Sequence, residues 1–365
     1  MALIEFVVFH PWKAAVSLVI GTILGLGAFY VYEVSTALGT VAVEDFDPGQ
    51  ARSAIASGPE DQGPPFTIED LPDEPLYDLD AEMKRISAAL GDSEFNSAAF
   101  GEPIADETFE AYLLVGSDAS GSLADTIILA LQPSDGSNPI MVSLPRDLFV
   151  WNLCKQTFTR LNSGLGGCPG VASGAELLAI MVEDYTGIPI DHLARVNFDG
   201  FARLVDVMGG ISVCVDYPTR DAKSHLQLDT AGCRVVDGDT ALAWVRSRHP
   251  EQLVGGDWVP APGSDFTRQR NQQDVLFQLA ARAAKFSSPA ALTERLSAVA
   301  SLVRLDSSWN LGDAVAAAWR YRGISKDSVE RFSIEVGEYR TSFGAQVLLP
   351  SAPFAEELAE VYDLG

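Results

Sequence analysis

The run from Ala14 to Val31, AAVSLVIGTILGLGAFYV, is 18 residues long and carries no charged side chain. A helix of that length rises about 27 Å, close to the hydrocarbon thickness of a bilayer. Trp12 and Lys13 precede it and Tyr32 and Glu33 follow, which places aromatic rings where two membrane interfaces would lie. The run therefore divides the chain before any fold is considered, into a short piece at 1–13, a transmembrane span at 14–32, and all that follows. A cleavable signal peptide and a fully buried helix are the competing readings. The run is longer than a typical signal-peptide apolar segment, and the polar stretch after it is poorly suited to wrap a buried helix. Lys13 stands before the run, and Glu33, Glu44, Asp45 and Asp47 come after it. The positive-inside rule then leaves residues 1–13 in the cytoplasm and exports the rest across the cytoplasmic membrane.

Charge separates the exported part into two regions. The chain holds 25 Lys plus Arg against 50 Asp plus Glu, a net charge of −25. That balance excludes a general nucleic-acid backbone binder, so no nucleic-acid partner is expected. Residues 33–110 contain 19 acids and 3 bases, whereas residues 111–365 contain 30 and 21. Residues 33–109 show no sustained apolar period and include PGQARSAIASGPEDQGPPF. They are expected to form a mostly flexible acidic spacer, because so little burial cannot offset the entropy of ordering. LDAEMKRISAAL (79–90) is the expected exception, a short amphipathic helix packed on the folded body.

The body is expected at 110–350, with a tail at 351–365. AYLLVG (111–116), DTIILALQ (125–132) and PIMVSLP (139–145) read as strands covered on both faces. Helical spacing follows from about Ala172 to Tyr185, again at 197–210, at 237–248, from about Asp265 to Lys285, and at 311–322. Strand-like runs fall at 192–198, 211–217 and 329–336. This alternation implies a layered α/β/α domain with a central mixed β-sheet, preceded by a single transmembrane helix. Gly164, Gly166 and Gly167 read as a flexible loop closed by Cys168. The four cysteines suit two structural disulfides in an oxidising exterior, preferably Cys154–Cys168 and Cys214–Cys233, although four cysteines allow three pairings. G-x-G-x-x-G after the first strand, G-x-x-x-x-G-K-[ST] and G-x-S-x-G are all missing, and the histidines form no metal-binding pair.

Asp118 ends the first strand of the body and Asp125 starts the second, so both carboxylates can meet at one sheet edge. A pair of that kind suits Mg²⁺ or Mn²⁺, and solvent-facing turn residues are the plainer alternative. Arg146 follows the third strand at the same edge. Arg246 and Arg248 lie two apart where a helix pattern fails, and on extended backbone they would point the same way. Asp265, Arg268 and Gln272 share one helix face at i, i+3 and i+7. Converging guanidinium groups match phosphate oxygens, while any single one of them commonly ends in a surface ion pair.

GSDASGSLADTIIL (116–129), MVSLPRDLFV (141–150), LNSGLGGCPG (161–170), VEDYTGIPIDHLARVNFDGFARLVDVMGGISVCV (182–215), DGDTALAWVRSRH (237–249) and DFTRQRNQQDVL (265–276) together resemble the ordered blocks of the LytR-CpsA-Psr family. The resemblance is strong over about residues 110–285 and looser toward 350. It implies a membrane-anchored α/β phosphotransferase that moves a polyprenyl-diphosphate-linked glycan onto a peptidoglycan acceptor and releases polyprenyl monophosphate. It further implies that Asp118 and Asp125 are metal-associated acids and that Arg146, Arg246 and Arg248 contact the diphosphate. Asp265, Arg268 and Gln272 match the family's D-x-x-R-x-x-x-Q block, with Asp265 or Asp118 as the base. Two positions depart from the pattern: Leu123 stands where an arginine is common, and Asn271 follows Arg270 where relatives carry an arginine one place later. A non-catalytic envelope protein binding the same lipid or glycan, and a hydrolase of the same diphosphate, are the other function classes.

Overall fold

The computed structural model describes residues 42–57, 78–90, 94–118, 120–261, 265–283, 285, 301–308 and 326–364. The apolar run 14–31 and the expected helix 311–322 lie outside the described residues. Among the described residues, no helix is long and apolar enough to cross a membrane.

Part of the stretch expected to be a spacer is built into the domain. Ala42–Glu44 (β1) pairs in parallel with residues 303–306 at a sheet edge. Pro48–Ser57 (α1) follows, and its Arg52 reaches Glu183 at 3.0 Å and Asp184 at 2.5 Å. Leu79–Leu90 (α2) is the amphipathic helix its spacing predicts; its Ile86 is fully buried in a cluster with Phe95 of the short helix Glu94–Ala99 (α3). These pieces differ from the flexible expectation because their partners lie more than a hundred residues away or on other elements, where local composition carries no trace of them.

The apolar runs of the body become Phe109–Ser117 (β2), Ala124–Pro133 (β3) and Ile140–Leu144 (β4), in antiparallel succession. A hairpin of Phe149–Asn152 (β5) and Thr157–Arg160 (β6) leads to helix Gly174–Thr186 (α4). Ser173 and Glu176 form a capping box at its start, and Gly187, at φ 73°, ends it in the left-handed conformation. His192–Asn197 (β7) runs parallel to β2, and the Asn197 side chain then caps helix Phe198–Val207 (α5). Next come Ile211–Val215 (β8), Thr219–Asp221 (β9), Leu226–Leu228 (β10) and Gly232–Val236 (β11). Asp237 caps helix Gly238–Arg246 (α6). The hairpin Glu251–Val254 (β12) and Asp257–Pro260 (β13) precedes the long helix Asp265–Ala283 (α7). Val303–Asp306 (β14) and Glu330–Ser333 (β15) complete the main sheet. The expected strand at 329–336 breaks after Ser333, and Val336–Arg340 (β16) instead pairs with Gln346–Pro350 (β17).

The main sheet has the order β1-β14-β7-β2-β3-β4-β15 and mixes parallel with antiparallel pairs, as the layered α/β/α reading expects. Its two faces are covered differently. On one, Leu113, Val115, Ile127 and Leu129 pack against Leu178, Met181 and Val182 of α4 in a core without solvent access. On the other lie α5, α6 and α7, whose own buried cluster joins Val205, Val245 and Val275 to Val213 and Leu226 of the smaller strands. The helices' remaining apolar side chains face the sheet across a gap.

Both preferred disulfides are formed, Cys154–Cys168 and Cys214–Cys233, the second joining directly paired residues of β8 and β11. The glycine cluster is not a flexible loop. Leu161–Gly166 is a 3₁₀ helix laid against α4, and a Cβ on Gly164 would come within 2.8 Å of the Met181 sulfur and 3.0 Å of the Leu178 Cα. Close backbone approach is why small residues stand there. The C-terminal stretch is not a loose tail, since Phe354 and Leu358 of helix Phe354–Leu358 (α8) are fully buried in the main core.

Candidate functional site

The gap between the sheet and the second helical layer is a cavity of about 360 Å³, within the range of small-molecule sites. Its depth is apolar. Leu114 and Ile128 rise from β2 and β3, and Phe201, Leu204, Leu242 and Leu276 descend from α5, α6 and α7. Asp125, Arg146, Arg195, Arg246, Arg248, Arg268 and Gln272 also line it, so one concave space carries a greasy floor and a strongly cationic set of polar groups.

Asp125 is the second residue of β3, and its carboxylate accepts a short hydrogen bond from the Arg146 guanidinium, which also lies 3.5 Å from Asp147. Burial would lower the Arg146 pKa, but the adjoining Asp147 and Asp125 carboxylates outweigh it and hold the side chain firmly charged. Arg246 ends α6, with its guanidinium 4.4 Å from the Phe198 ring centroid. Ser247 is extended (φ −68°, ψ 124°), so Arg246 and Arg248 both reach the cavity as their spacing predicts. Arg268, 5% exposed, and Gln272 come from α7, and the Gln272 amide donates to the Val245 carbonyl at 3.2 Å. Gln272 therefore buttresses the end of α6 as well as lining the space.

Two sequence-derived acids are placed differently. Asp118 is not among the cavity-lining residues; its carboxylate accepts from Ser120 Oγ at 2.6 Å and from the Ser122 and Leu123 amides at 3.2 Å each, closing the β2–β3 turn. Burial raises its pKa, but these hydrogen bonds prevail and the net shift is downward. Asp265 begins α7, one turn before Arg268, and its side chain lies outside the described residues. Leu123 is 44% exposed on the same turn as Asp118.

Arg195 is a cavity-lining cation that sequence reasoning missed. It sits on the interior strand β7, donates to Glu44 of β1 at 2.6 Å and approaches the Gly121 carbonyl at 3.4 Å. An arginine amid an apolar strand was the available signal, because such a residue stays in a sheet interior only when paired or functional.

Cations over an apolar slot can hold an amphiphile with a multiply charged phosphate head. The chain is 32% identical over 178 residues to the probable cell wall biosynthesis protein LcpB of Corynebacterium glutamicum, covering 46% of this chain and 41% of that protein; it thus spans less than half of that relative's length. It is 28% identical over 249 residues to TagU of Halalkalibacterium halodurans, a polyisoprenyl-teichoic acid–peptidoglycan teichoic acid transferase, covering 67% of this chain and 72% of TagU. The solved LytR-Csp2A-Psr enzyme from Actinomyces oris superposes with a TM-score of 0.55 at 29% identity, over 72% of this chain and 96% of that one. A family model matches residues 82–361, well over half of the sequence, and the chain belongs to the LytR_cpsA_psr family.

Proposed function

We propose that this protein is a membrane-anchored phosphotransferase that attaches a polyprenyl-diphosphate-linked glycopolymer to peptidoglycan outside the cytoplasmic membrane. The observation that carries the reading is the joining, in one cavity, of an apolar floor to Arg146, Arg246, Arg248 and Arg268. A polyprenyl diphosphate has that same division, and the arginine forks match the oxygens of its head. The activity named for TagU is of this class.

An acceptor sugar hydroxyl attacks the phosphorus bonded to the glycan. The bond from that phosphorus to the bridging oxygen breaks, and polyprenyl monophosphate leaves with the bond's electron pair. Charge gathers on nonbridging oxygens during transfer, and the fixed guanidinium groups stabilise it there. Asp118 is committed to its turn, which leaves Asp265, one turn before Arg268, as the candidate acceptor of the hydroxyl proton.

Among the described residues, no group of three or more His, Cys, Asp and Glu could hold a metal ion. Asp125 is engaged by Arg146 and Asp118 by the donors of its own turn, so the two acids do not stand ready as a cation set, and Mg²⁺ or Mn²⁺ would bind there only by displacing those contacts and recruiting substrate phosphate and water.

Incubating the purified protein with a lipid-linked glycan and peptidoglycan tests the reading. A glycan–peptidoglycan phosphodiester together with polyprenyl monophosphate is the expected product. Free glycan phosphate would identify a hydrolase, and an unchanged donor would identify a binding protein.

A further inference from the structure

Arg246 and Arg248 lie at and just past the C-terminal end of a helix, where the last carbonyls lose their helical partners and the helix no longer fixes the backbone that follows. What fixes them comes from another element. Asp221, the last residue of β9, is 2% exposed, and both of its carboxylate oxygens are engaged. Its Oδ2 accepts from the Arg248 amide at 3.0 Å, the His249 amide at 2.9 Å and the Ser247 hydroxyl at 2.8 Å. Its Oδ1 accepts from the Lys223 and Ser224 amides at 2.9 and 3.4 Å.

The middle residue of Arg246-Ser247-Arg248 therefore turns inward onto Asp221, while the residues on either side reach the cavity. Gln272 holds the Val245 carbonyl just before this segment. The end of α6 is thus tied from both sides, and Pro250 two residues past Arg248 cannot extend the helix. Burial would raise the Asp221 pKa, but the donors from His249, Ser247, Lys223 and Ser224 bring it down to about 2, so the carboxylate stays ionised across any working pH.

We propose that Asp221 is a positioning residue: it holds the 247–249 backbone so that Arg246 and Arg248 are preset as a diphosphate clamp. The idea rests on the diphosphate reading given above. Preorganisation matters here because an arginine side chain carries much rotamer freedom, and ordering it at the moment of binding weakens the complex. An amide cannot replace this carboxylate. Every partner of Asp221 is a donor, so the NH₂ group of asparagine would face donors on whichever side it lay.

The test is a double-mutant cycle on the full chain in detergent micelles, with farnesyl diphosphate as the calorimetric probe and a thermal melt of each variant. Asp221→Asn is expected to weaken binding at least fivefold at a temperature where the variant is folded. In the Arg246→Ala/Arg248→Ala background, where the groups it positions are gone, the same substitution is expected to add less than twofold. A purely structural role would not give that pattern, because loss of stability alone would act equally in both backgrounds. Should Asp221→Asn not fold, Ser247→Ala removes one of the same contacts, with an expected loss of two- to fivefold that again vanishes beside Arg246→Ala/Arg248→Ala. Wild-type affinity in the folded variants, or equal losses in both backgrounds, would overturn the proposal. If Arg248→Ala weakens binding while Asp221 and Ser247 variants do not, the diphosphate reading stands and only the positioning role falls. If the wild type binds no farnesyl diphosphate, both fall.

Discussion

Arg246 and Arg248 give the sharpest test at the level of single residues. On the proposed reading each would contribute charge-assisted hydrogen bonds to a diphosphate, worth about 1.5–3 kcal/mol apiece, whereas an exposed ion pair is worth at most about 1 kcal/mol. Arg246→Ala and Arg248→Ala are therefore expected to weaken farnesyl diphosphate binding by roughly tenfold or more in calorimetry. Lysine at either position is expected to restore part of the affinity, since it keeps the charge and loses the planar fork. Unchanged affinity in the folded alanine variants would remove the main physical support for the clamp. Leu123 allows the reciprocal experiment. Because it is 44% exposed, Leu123→Arg should leave the melting temperature nearly unchanged and tighten binding by adding a cation beside Asp118 and Asp125; a folded variant with the parent affinity would show that this turn does not reach the ligand. Arg146, Arg246, Arg248 and Asp125 were legible because their spacing fixes which way they point once the elements are known. Arg195 was not, since its partner Glu44 lies 151 residues away in sequence. Asp118 was legible as a strand-end acid, but its engagement with the turn's own amides required the turn to be seen.

The elements differ in how far local chemistry declared them. Helix α2 was readable from its 3.6-residue period, and α4 from the three-to-four spacing of Leu177, Leu178, Met181 and Val182 and the glycine that stops it at 187. Strand β1 was not readable, because three residues in an acidic stretch become a strand only by pairing with β14 near the far end of the chain. The disulfides were readable as close pairs, and their loops, with sequence separations of 14 and 19, are each expected to contribute about 3 kcal/mol. Replacing Cys154 and Cys168 together with alanine should lower the unfolding free energy by that amount in a urea titration; a midpoint equal to the parent's would contradict it. Helix α8 carries a buried acid, Glu357, whose Oε1 accepts the Glu335 amide at 2.7 Å while Oε2 has no hydrogen-bond partner. Burial, with the Glu335 and Glu360 carboxylates adding to it, raises its pKa to about 7. The folded chain then holds a proton that the unfolded chain has released, so stability falls as pH rises from about 4.5 to about 7. Glu357→Gln is expected to raise the melting temperature at pH 8 and to change it little at pH 5, and a gain of equal size at both would refute the protonated-acid assignment.

At the scale of the described fold, the two faces of the sheet differ in how they are filled. The face under α4 is filled and bears most of the core, whereas the face under α5, α6 and α7 is left hollow. Alternation and apolar runs made the layers legible, but a hollow layer and a filled one have the same pattern in sequence. The apolar run at 14–31 supports an anchor with the domain outside. Protease added to intact spheroplasts is expected to remove the domain, and protection of it would refute that orientation. Ten residues, 32–41, separate the run from β1, and eleven peptide steps reach no more than about 40 Å even when fully extended. Since β1 and α1 are fastened to the body by strand pairing and by Arg52, an anchor at 14–31 would leave a tether that ends at β1 and not at residue 110. A domain on so short a leash searches a thin shell above the bilayer. On the proposed reading its encounters with a lipid-borne ligand would become two-dimensional, and local concentration would do much of what high affinity would otherwise have to do.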